Sequence, residues 1–181
     1  MSISTAEDLF NALQSQDPDV RTEAWLSAGT VGAAAIDGLA KLVIEGNLEV
    51  GRAAKRALWK IVRTAGAPEG AREKSLVLNQ LLKLLDVAKP PSLRREVLWM
   101  LSEISSGKAD VDAVAELLSH PDLREDARCA LERIPGDRSL AALKEGFARA
   151  PKDFKLNIAH SLRARGADVP AAPEKKSATK G

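Results

Sequence analysis

The phrase Pro18-Asp19-Val20-Arg21-Thr22-Glu23-Ala24 places an aliphatic residue, an arginine and a small residue at helical spacing after a proline. Four similar phrases follow along the chain. The aliphatic or aromatic anchors of the five phrases are Val20, Val50, Leu93, Leu123 and Phe154. They are separated by 30, 43, 30 and 31 residues, a period typical of stacked supersecondary units. The repetition predicts about five similar units, each too small to fold alone.

Each anchor opens an amphipathic helix. Apolar residues return four, eight and eleven positions later, as in Leu93, Val97, Leu101 and Ile104, and these offsets lie on one face of a helix. Another apolar-periodic stretch ends shortly before each anchor, so the pattern predicts helical hairpins. Runs of β-branched and aromatic residues with period two, which a sheet requires, are missing. We therefore expect an all-α fold.

Residues typical of helix ends agree with these hairpins. Ser4 and Glu7 have the spacing of a capping box. Prolines begin several of the second helices, at a position where the missing backbone N–H costs nothing. Gly66, Gly107 and Gly166 lie where helices are expected to end.

The repeated phrase resembles the HEAT repeat, and its short period resembles the bacterial phycobilin-lyase-type HEAT-like repeats. The resemblance covers residues 4–166 and implies an α-solenoid of about five hairpins, a right-handed α–α superhelix with the second helices on its concave side. The chain departs from the pattern at Gly51, which takes the arginine position before Arg52, at Lys155, and in the long connection 64–75. Solenoids present extended surfaces to other molecules, so the resemblance informs architecture more than function.

Composition divides the chain into a folded domain, residues 1–166, and a C-terminal tail, residues 167–181. The tail consists largely of Pro, Ala, Lys and Ser, and we expect it to be disordered. The single cysteine, Cys129, excludes an internal disulfide and fits a reducing compartment. No signal peptide is visible, and no stretch approaches the roughly 18 apolar residues of a membrane span. We expect a cytoplasmic protein without a membrane partner.

Charge is distributed unevenly along the chain. Residues 1–40 carry one basic and six acidic residues, and residues 41–100 carry twelve basic and six acidic residues. The respective net charges are −5 and +6, within a total of +2. A basic middle can attract an anionic partner, although +6 is modest beside dedicated nucleic-acid binders. A solvated helical face beside an acidic repeat is the alternative interpretation.

A candidate binding surface follows from the helical periodicity. If each apolar stripe faces the interior, the opposite side consists of residues two, six, nine and thirteen positions after the anchor. In the second and third units, this rule selects arginine and tryptophan, the residue types most enriched at binding hot spots. The candidate partner-binding residues are Arg52, Arg56, Trp59, Arg63, Arg95 and Trp99.

A structural role is the alternative for several of these side chains. Trp25, Trp59 and Trp99 are large enough to fill seams between units. The arginines that directly follow the anchors, Arg21, Arg94 and Arg124, occupy a position at which HEAT-like repeats commonly pair with an acidic residue of the adjoining unit. The acidic residues available for this pairing are Asp17, Asp19, Asp122 and Asp126.

Catalytic and cofactor motifs are missing from the sequence. His120 and His160 are the two histidines, forty residues apart, and no cysteine cluster or HExxH motif accompanies them, so we predict no metal site. Cys129 stands among acidic residues, which would raise the pKa of its thiol. No glycine-rich phosphate loop is present. We expect a protein that is not an enzyme and needs no cofactor.

The sequence therefore favours a non-enzymatic scaffold or adaptor that binds an acidic segment of another protein on the second-helix face. Nucleic-acid binding is an alternative, because HEAT-like alkylpurine DNA glycosylases use a basic concave surface with tryptophans and a carboxylate. Neither Trp59 nor Trp99 has an aspartate beside it on the same face, and Glu96 and Glu103 are poorly placed to substitute. A bilin-lyase-like accessory role is a third possibility, implied by the resemblance alone.

Overall fold

Ten α-helices form five consecutive hairpins in the computed structural model, which describes residues 3–169. No strand occurs in this range. The hairpins are α1 (Ala6–Leu13) with α2 (Pro18–Val31), α3 (Ile36–Glu45) with α4 (Leu48–Gly66), α5 (Ala71–Lys83) with α6 (Pro91–Ile104), α7 (Lys108–Glu116) with α8 (Arg124–Arg133), and α9 (Asp137–Arg149) with α10 (Lys152–Ala164). Three short 3₁₀ segments lie at Gly32–Ala35, Pro68–Gly70 and Leu117–Ser119.

The helices form two layers. Each second helix contacts the next one, so that α2, α4, α6, α8 and α10 follow one another in chain order. The first helices, α1, α3, α5, α7 and α9, form the other layer in the same way. This neighbour-to-neighbour stacking confirms the predicted α-solenoid of five hairpins.

The apolar stripe of the second helices forms the core, as predicted. Leu93, Leu123 and Phe154 are each at most 2% exposed, and residues four and eight positions after them are also buried. The anchor of the first unit, Val20, is only half-buried. Burial of these apolar side chains between helices is what holds the hairpins together.

Two predicted helix ends are wrong by a few residues. The capping box of α1 consists of Thr5 and Asp8 rather than Ser4 and Glu7: the Thr5 hydroxyl accepts from the Asp8 backbone N–H at 3.1 Å, and the Thr5 N–H donates to the Asp8 carboxylate. Thr5 has the extended backbone that a cap requires. Gly107 precedes α7 and caps it, whereas α6 has already ended at Ile104.

The run Pro18–Glu45 corrects the expectation that no stretch approaches a membrane span. By length and composition alone, this run is apolar enough to cross a membrane. In the fold it comprises two helices, because the chain leaves helical geometry at Gly32, where φ is +70°. Ala28 and Ile36, on either side of this break, are completely buried, and both α2 and α3 pack on α4.

The packed domain extends slightly beyond the boundary expected at residue 166. Ala167 donates a backbone hydrogen bond to the carbonyl of Leu162 at 2.9 Å. Ala167 and Val169 are partly buried against the core. The remainder of the expected tail, residues 170–181, lies outside the described residues.

The packing of α2 on α4 can be tested at Gly29, where the two helices approach each other closely. A methyl group at Gly29 would meet the Thr64 hydroxyl at 2.3 Å, whereas one at Gly51 would lie at an ordinary 3.5 Å from its nearest neighbour. We expect Gly29→Ala to lower the free energy of unfolding by about 1 kcal/mol, because overpacking outweighs the gain in helix propensity. The matched control Gly51→Ala should raise it by about 0.5–1 kcal/mol. Urea unfolding measures both, and equal effects would contradict the close approach.

Candidate interaction face

All six predicted site residues lie on two adjacent second helices, α4 and α6. Arg52, Arg56, Arg63 and Arg95 are exposed, as predicted for the side opposite the apolar stripe. Trp99 is 36% exposed, and Trp59 is half-buried. We call the outward surface of α2, α4, α6, α8 and α10 the second-helix face.

Trp59 connects α4 to α6. Its indole Nε1–H donates to Glu96 Oε1 at 2.5 Å. The other oxygen of the same carboxylate accepts from Lys55 Nζ at 3.0 Å. One carboxylate of the third unit therefore holds two side chains of the second unit. A hydrogen bond to a charged acceptor stabilises more than one between neutral groups, so this contact contributes to the seam.

Trp99 makes the equivalent connection from α6 to α8. Its Nε1–H donates to Asp126 Oδ1 at 3.2 Å, while Arg95 lies 3.5 Å from Asp126 Oδ2. Arg95 also donates to the backbone carbonyl of Asp122 at 3.1 Å. Arg133 of α8 covers the Trp99 ring at 5.5 Å from its centroid, within the range of a cation–π contact.

The first bridge corrects the expectation that Glu96 is poorly placed relative to Trp59. Glu96 and Asp126 both stand three positions after the anchor of the following unit. Each reaches across the seam to the tryptophan of the preceding helix. Both tryptophans hydrogen-bond across seams and still reach the surface.

Trp25 lacks such a bridge. Its Nε1 is buried and has no hydrogen-bond partner among the described residues. The residue of α4 that corresponds to Glu96 and Asp126 is Ala53, which has no acceptor. Arg56 instead covers the Trp25 ring at 5.9 Å from its centroid. The α2–α4 seam is therefore apolar where the next two seams are polar.

Among the second helices, α4 has the highest net positive charge. This helix carries five basic residues and one acidic residue, a net charge of +4 (5 − 1), whereas α6 carries two of each. Arg52 pairs with Glu49 at 3.1 Å, but both side chains are about 60% exposed, and such pairs contribute little. Within residues 3–169, Arg56 and Arg63 take part in no ion pair, unlike Arg95.

The two unpaired arginines rest on tryptophan rings. Arg56 lies over Trp25, and Arg63 lies over Trp59 at 5.3 Å from the ring centroid. Stacking limits the freedom of a guanidinium group without using its N–H donors. Both arginines can therefore present a forked set of donors to an anion outside the protein.

Two of the arginines that follow the anchors have structural contacts, although not with the predicted acids. Arg21 Nη1 donates to the backbone carbonyls of Ser15 and Gln16 at 2.7 and 2.9 Å, just beyond the end of α1. Arg124 pairs with Asp153 of the fifth unit at 2.9 Å. Asp17 instead caps α2 through the Asp19 N–H, which is why its carboxylate is not available to Arg21.

Arg94 differs from both. It is 4% exposed, and its Nε has no hydrogen-bond partner among the described residues. Its Nη1 lies 3.5 Å from His120 Nε2. His120 Nδ1 accepts from the Asp122 backbone N–H at 3.2 Å, so this half-buried histidine caps the following turn.

The seam between α8 and α10 is closed by a polar network around Arg128. This side chain pairs with Glu125 at 2.8 Å and with Glu132 at 3.1 Å. Burial alone would raise the pKa of Glu125, but hydrogen bonds from Arg128 and Asn157 outweigh it and lower that pKa. Burial raises the pKa of the Cys129 thiol, and Arg128 opposes the effect while the nearby carboxylates add to it. Cys129 is accordingly poor as a nucleophile at neutral pH.

Nothing in residues 3–169 assembles into a metal site, since no group of three His, Cys, Asp or Glu side chains has suitable geometry there. A groove of about 730 Å³ lies on the first-helix side between α7 and α9, away from the tryptophans. Its arginines, Arg124, Arg138 and Arg149, all form ion pairs with carboxylates of the chain. The groove therefore offers no unpaired cation.

Stacked hairpins joined through their second helices define the architecture. The chain is a helical repeat protein. Neither a family model nor a curated protein matches its sequence. Among solved structures it is similar to an engineered protein from a structural genomics consortium, with 21% identity, a TM-score of 0.44, and coverage of 88% of this chain and 78% of that one.

A designed armadillo repeat protein, solved in complex with the peptide (KR)4, is similar at 19% identity and a TM-score of 0.46, over 88% of this chain and 81% of that chain. A second engineered protein is similar at 19% identity and a TM-score of 0.42, over 90% of this chain and 48% of that chain. These likenesses concern the arrangement of helices.

Replacing a tryptophan by phenylalanine shows whether its indole N–H stabilises the seam by a hydrogen bond or whether the ring only fills space between helices. We expect Trp59→Phe to be less stable than Trp25→Phe by about 1–3 kcal/mol, because the first change removes a hydrogen bond to a carboxylate and the second removes a buried donor without a partner. Urea unfolding followed by far-ultraviolet circular dichroism compares the two. If Trp25→Phe is the less stable variant, the bridge between Trp59 and Glu96 does not stabilise the seam.

Proposed function

We propose that this protein is a non-enzymatic scaffold or adaptor that binds another protein on its second-helix face. The observation that carries the proposal is the charge of α4, net +4, with Arg56 and Arg63 outside any ion pair in residues 3–169. Arg95 and Arg124 already pair with carboxylates of the chain. Two exposed arginines without such a pair, on the second helix with the highest net positive charge, favour an external anion.

The partner we propose is an acidic protein segment. Apolar contact area is available beside the arginines at Leu26, which is 48% exposed. A large apolar side chain of the partner would be buried there, while carboxylates meet Arg52, Arg56 and Arg63 at the rim. Arg95 contributes less than the sequence suggested, because Asp126 already neutralises it.

Nucleic-acid binding remains the second candidate, because the same arginines would also bind phosphates. Single-stranded nucleic acids usually stack their bases on exposed aromatic rings. Here arginines cover Trp25, Trp59 and Trp99, and Asp126 is engaged by Arg95 and Trp99. Because the tryptophan rings and the Asp126 carboxylate are already engaged by groups of the chain, a protein partner is favoured and a glycosylase-like site has no support.

We further propose that the repeats are HEAT-like units of the bacterial phycobilin-lyase type. The support is the period of about 30 residues between most anchors and the arginine that follows three of them. The single cysteine is compatible with a cytoplasmic location, which we propose for the protein.

A pull-down with charge-reversed variants tests the proposed face. We expect Arg56→Glu with Arg63→Glu to lose partners that the wild type captures, because like charges then oppose the acidic segment. The matched control is Lys144→Glu with Arg149→Glu, which changes the net charge of the protein by the same amount. Both residues are exposed and lie on α9, in the first-helix layer. Equal thermal unfolding of the variants shows that both remain folded.

Three outcomes contradict the proposal. The α4 variant could retain every partner, or the α9 variant could lose the same partners, and either result would place the binding surface elsewhere. Loss of all capture after nuclease treatment would favour the nucleic-acid alternative.

A further inference from the structure

We propose that Arg94 and His120 form a binding site for a single carboxylate group. Arg94 lies in the first turn of α6, and His120 lies in the turn that precedes α8. The two side chains meet where the third and fourth units adjoin. Neither residue belongs to the charged surface of α4, so this site can exist whatever binds there.

Arg94 is a buried cation without an acceptor. The residue is 4% exposed, and its Nε is enclosed without a hydrogen-bond partner in the part of the chain that the structure describes. No carboxylate of residues 3–169 pairs with it, in contrast to Arg95 and Arg124. Removal of a guanidinium group from water is costly unless an acceptor replaces the water. The donors of Arg94 are therefore available to a ligand.

His120 turns a second donor toward Arg94. Its Nδ1 accepts from the backbone N–H of Asp122 at 3.2 Å, so this nitrogen carries no hydrogen. The ring hydrogen is then on Nε2, which lies 3.5 Å from Arg94 Nη1, itself a donor. Two donors cannot satisfy one another. Both can donate to one acceptor that lies beside them.

The next unit of the solenoid shows which acceptor fits such an arginine. Arg124 follows the anchor of the fourth unit as Arg94 follows that of the third. It donates at 2.9 Å to the carboxylate of Asp153, the residue directly before the next anchor. The equivalent acid for Arg94 is Asp122, which is exposed and forms no ion pair with it. An external carboxylate would supply what Asp153 supplies to Arg124.

The burial of the two side chains favours a small ligand group. His120 is half-buried, so part of its ring reaches the surface, whereas Arg94 is almost completely covered. A planar carboxylate matches the fork of a guanidinium group and needs little space. Free small carboxylates and the acidic side chains of peptides share this group.

Histidine side-chain ¹H–¹⁵N spectra of the full chain test the site, since the chain has two histidines. The probes are sodium acetate and a short capped peptide with one glutamate, each compared with sodium chloride at the same ionic strength. We expect the His120 Nε2 signal to shift and saturate, with half-saturation at about 1–10 mM for so small a ligand. His160, which is exposed on α10, should not shift in this way.

Two variants connect the shift to Arg94. Arg94→Met removes the charge at similar volume, a change that buried charges often tolerate, and it should abolish the saturable shift of His120. The control Arg63→Met, which removes an exposed cation of α4, should leave the shift unchanged. If Arg94→Met does not fold, the titration of the wild type still decides the question.

The two probes also identify the source of the carboxylate. Tighter binding of the peptide supports an acidic protein segment as the ligand, and tighter binding of acetate supports a free small carboxylate. The proposal is overturned if neither probe produces a saturable shift of His120, or if chloride produces the same shift. A shift that occurs only in Asp122→Asn also overturns it, because Asp122 would then be the natural partner of Arg94.

Discussion

The apolar seam between successive second helices is the constraint on which the whole structure depends. No single hairpin can bury both sides of its second helix, so Leu93 and Leu123 reach full burial between neighbouring units. Each unit must therefore dock on the one before it, with its polar side facing outward. The second-helix face is a direct consequence of this order, because it consists of whatever the seams leave uncovered.

The seams between second helices differ in the polar side chains that cross them. Trp59 with Glu96, and Trp99 with Asp126, fix the neighbouring helices at defined positions, whereas Trp25 meets an alanine and stays unpartnered. The carboxylates that serve these bridges also neutralise Lys55 and Arg95. Arg56 and Arg63 of α4 form no ion pair within residues 3–169 and stay available to an external ligand.

The sequence predicted the hairpins and their buried stripe because helical periodicity is a local property, readable from Leu93 to Ile104 without knowledge of neighbours. Five of the six site residues that it selected on α4 and α6 are exposed, and Trp59 is half-buried. It did not reveal the partners of Trp59 and Trp99, because Glu96 and Asp126 come within reach only through the rotation and rise between adjacent units. The sequence therefore did not distinguish Arg95, which pairs with Asp126, from Arg56 and Arg63, which form no ion pair in residues 3–169.

The most direct test of the bridged seams uses the three indole N–H signals in a ¹H–¹⁵N correlation spectrum, since the chain has three tryptophans. Glu96→Gln should shift the Trp59 signal and leave the other two in place, and Asp126→Asn should shift the Trp99 signal alone. If neither substitution moves an indole signal, or if each moves all three equally, the second helices are not joined as described.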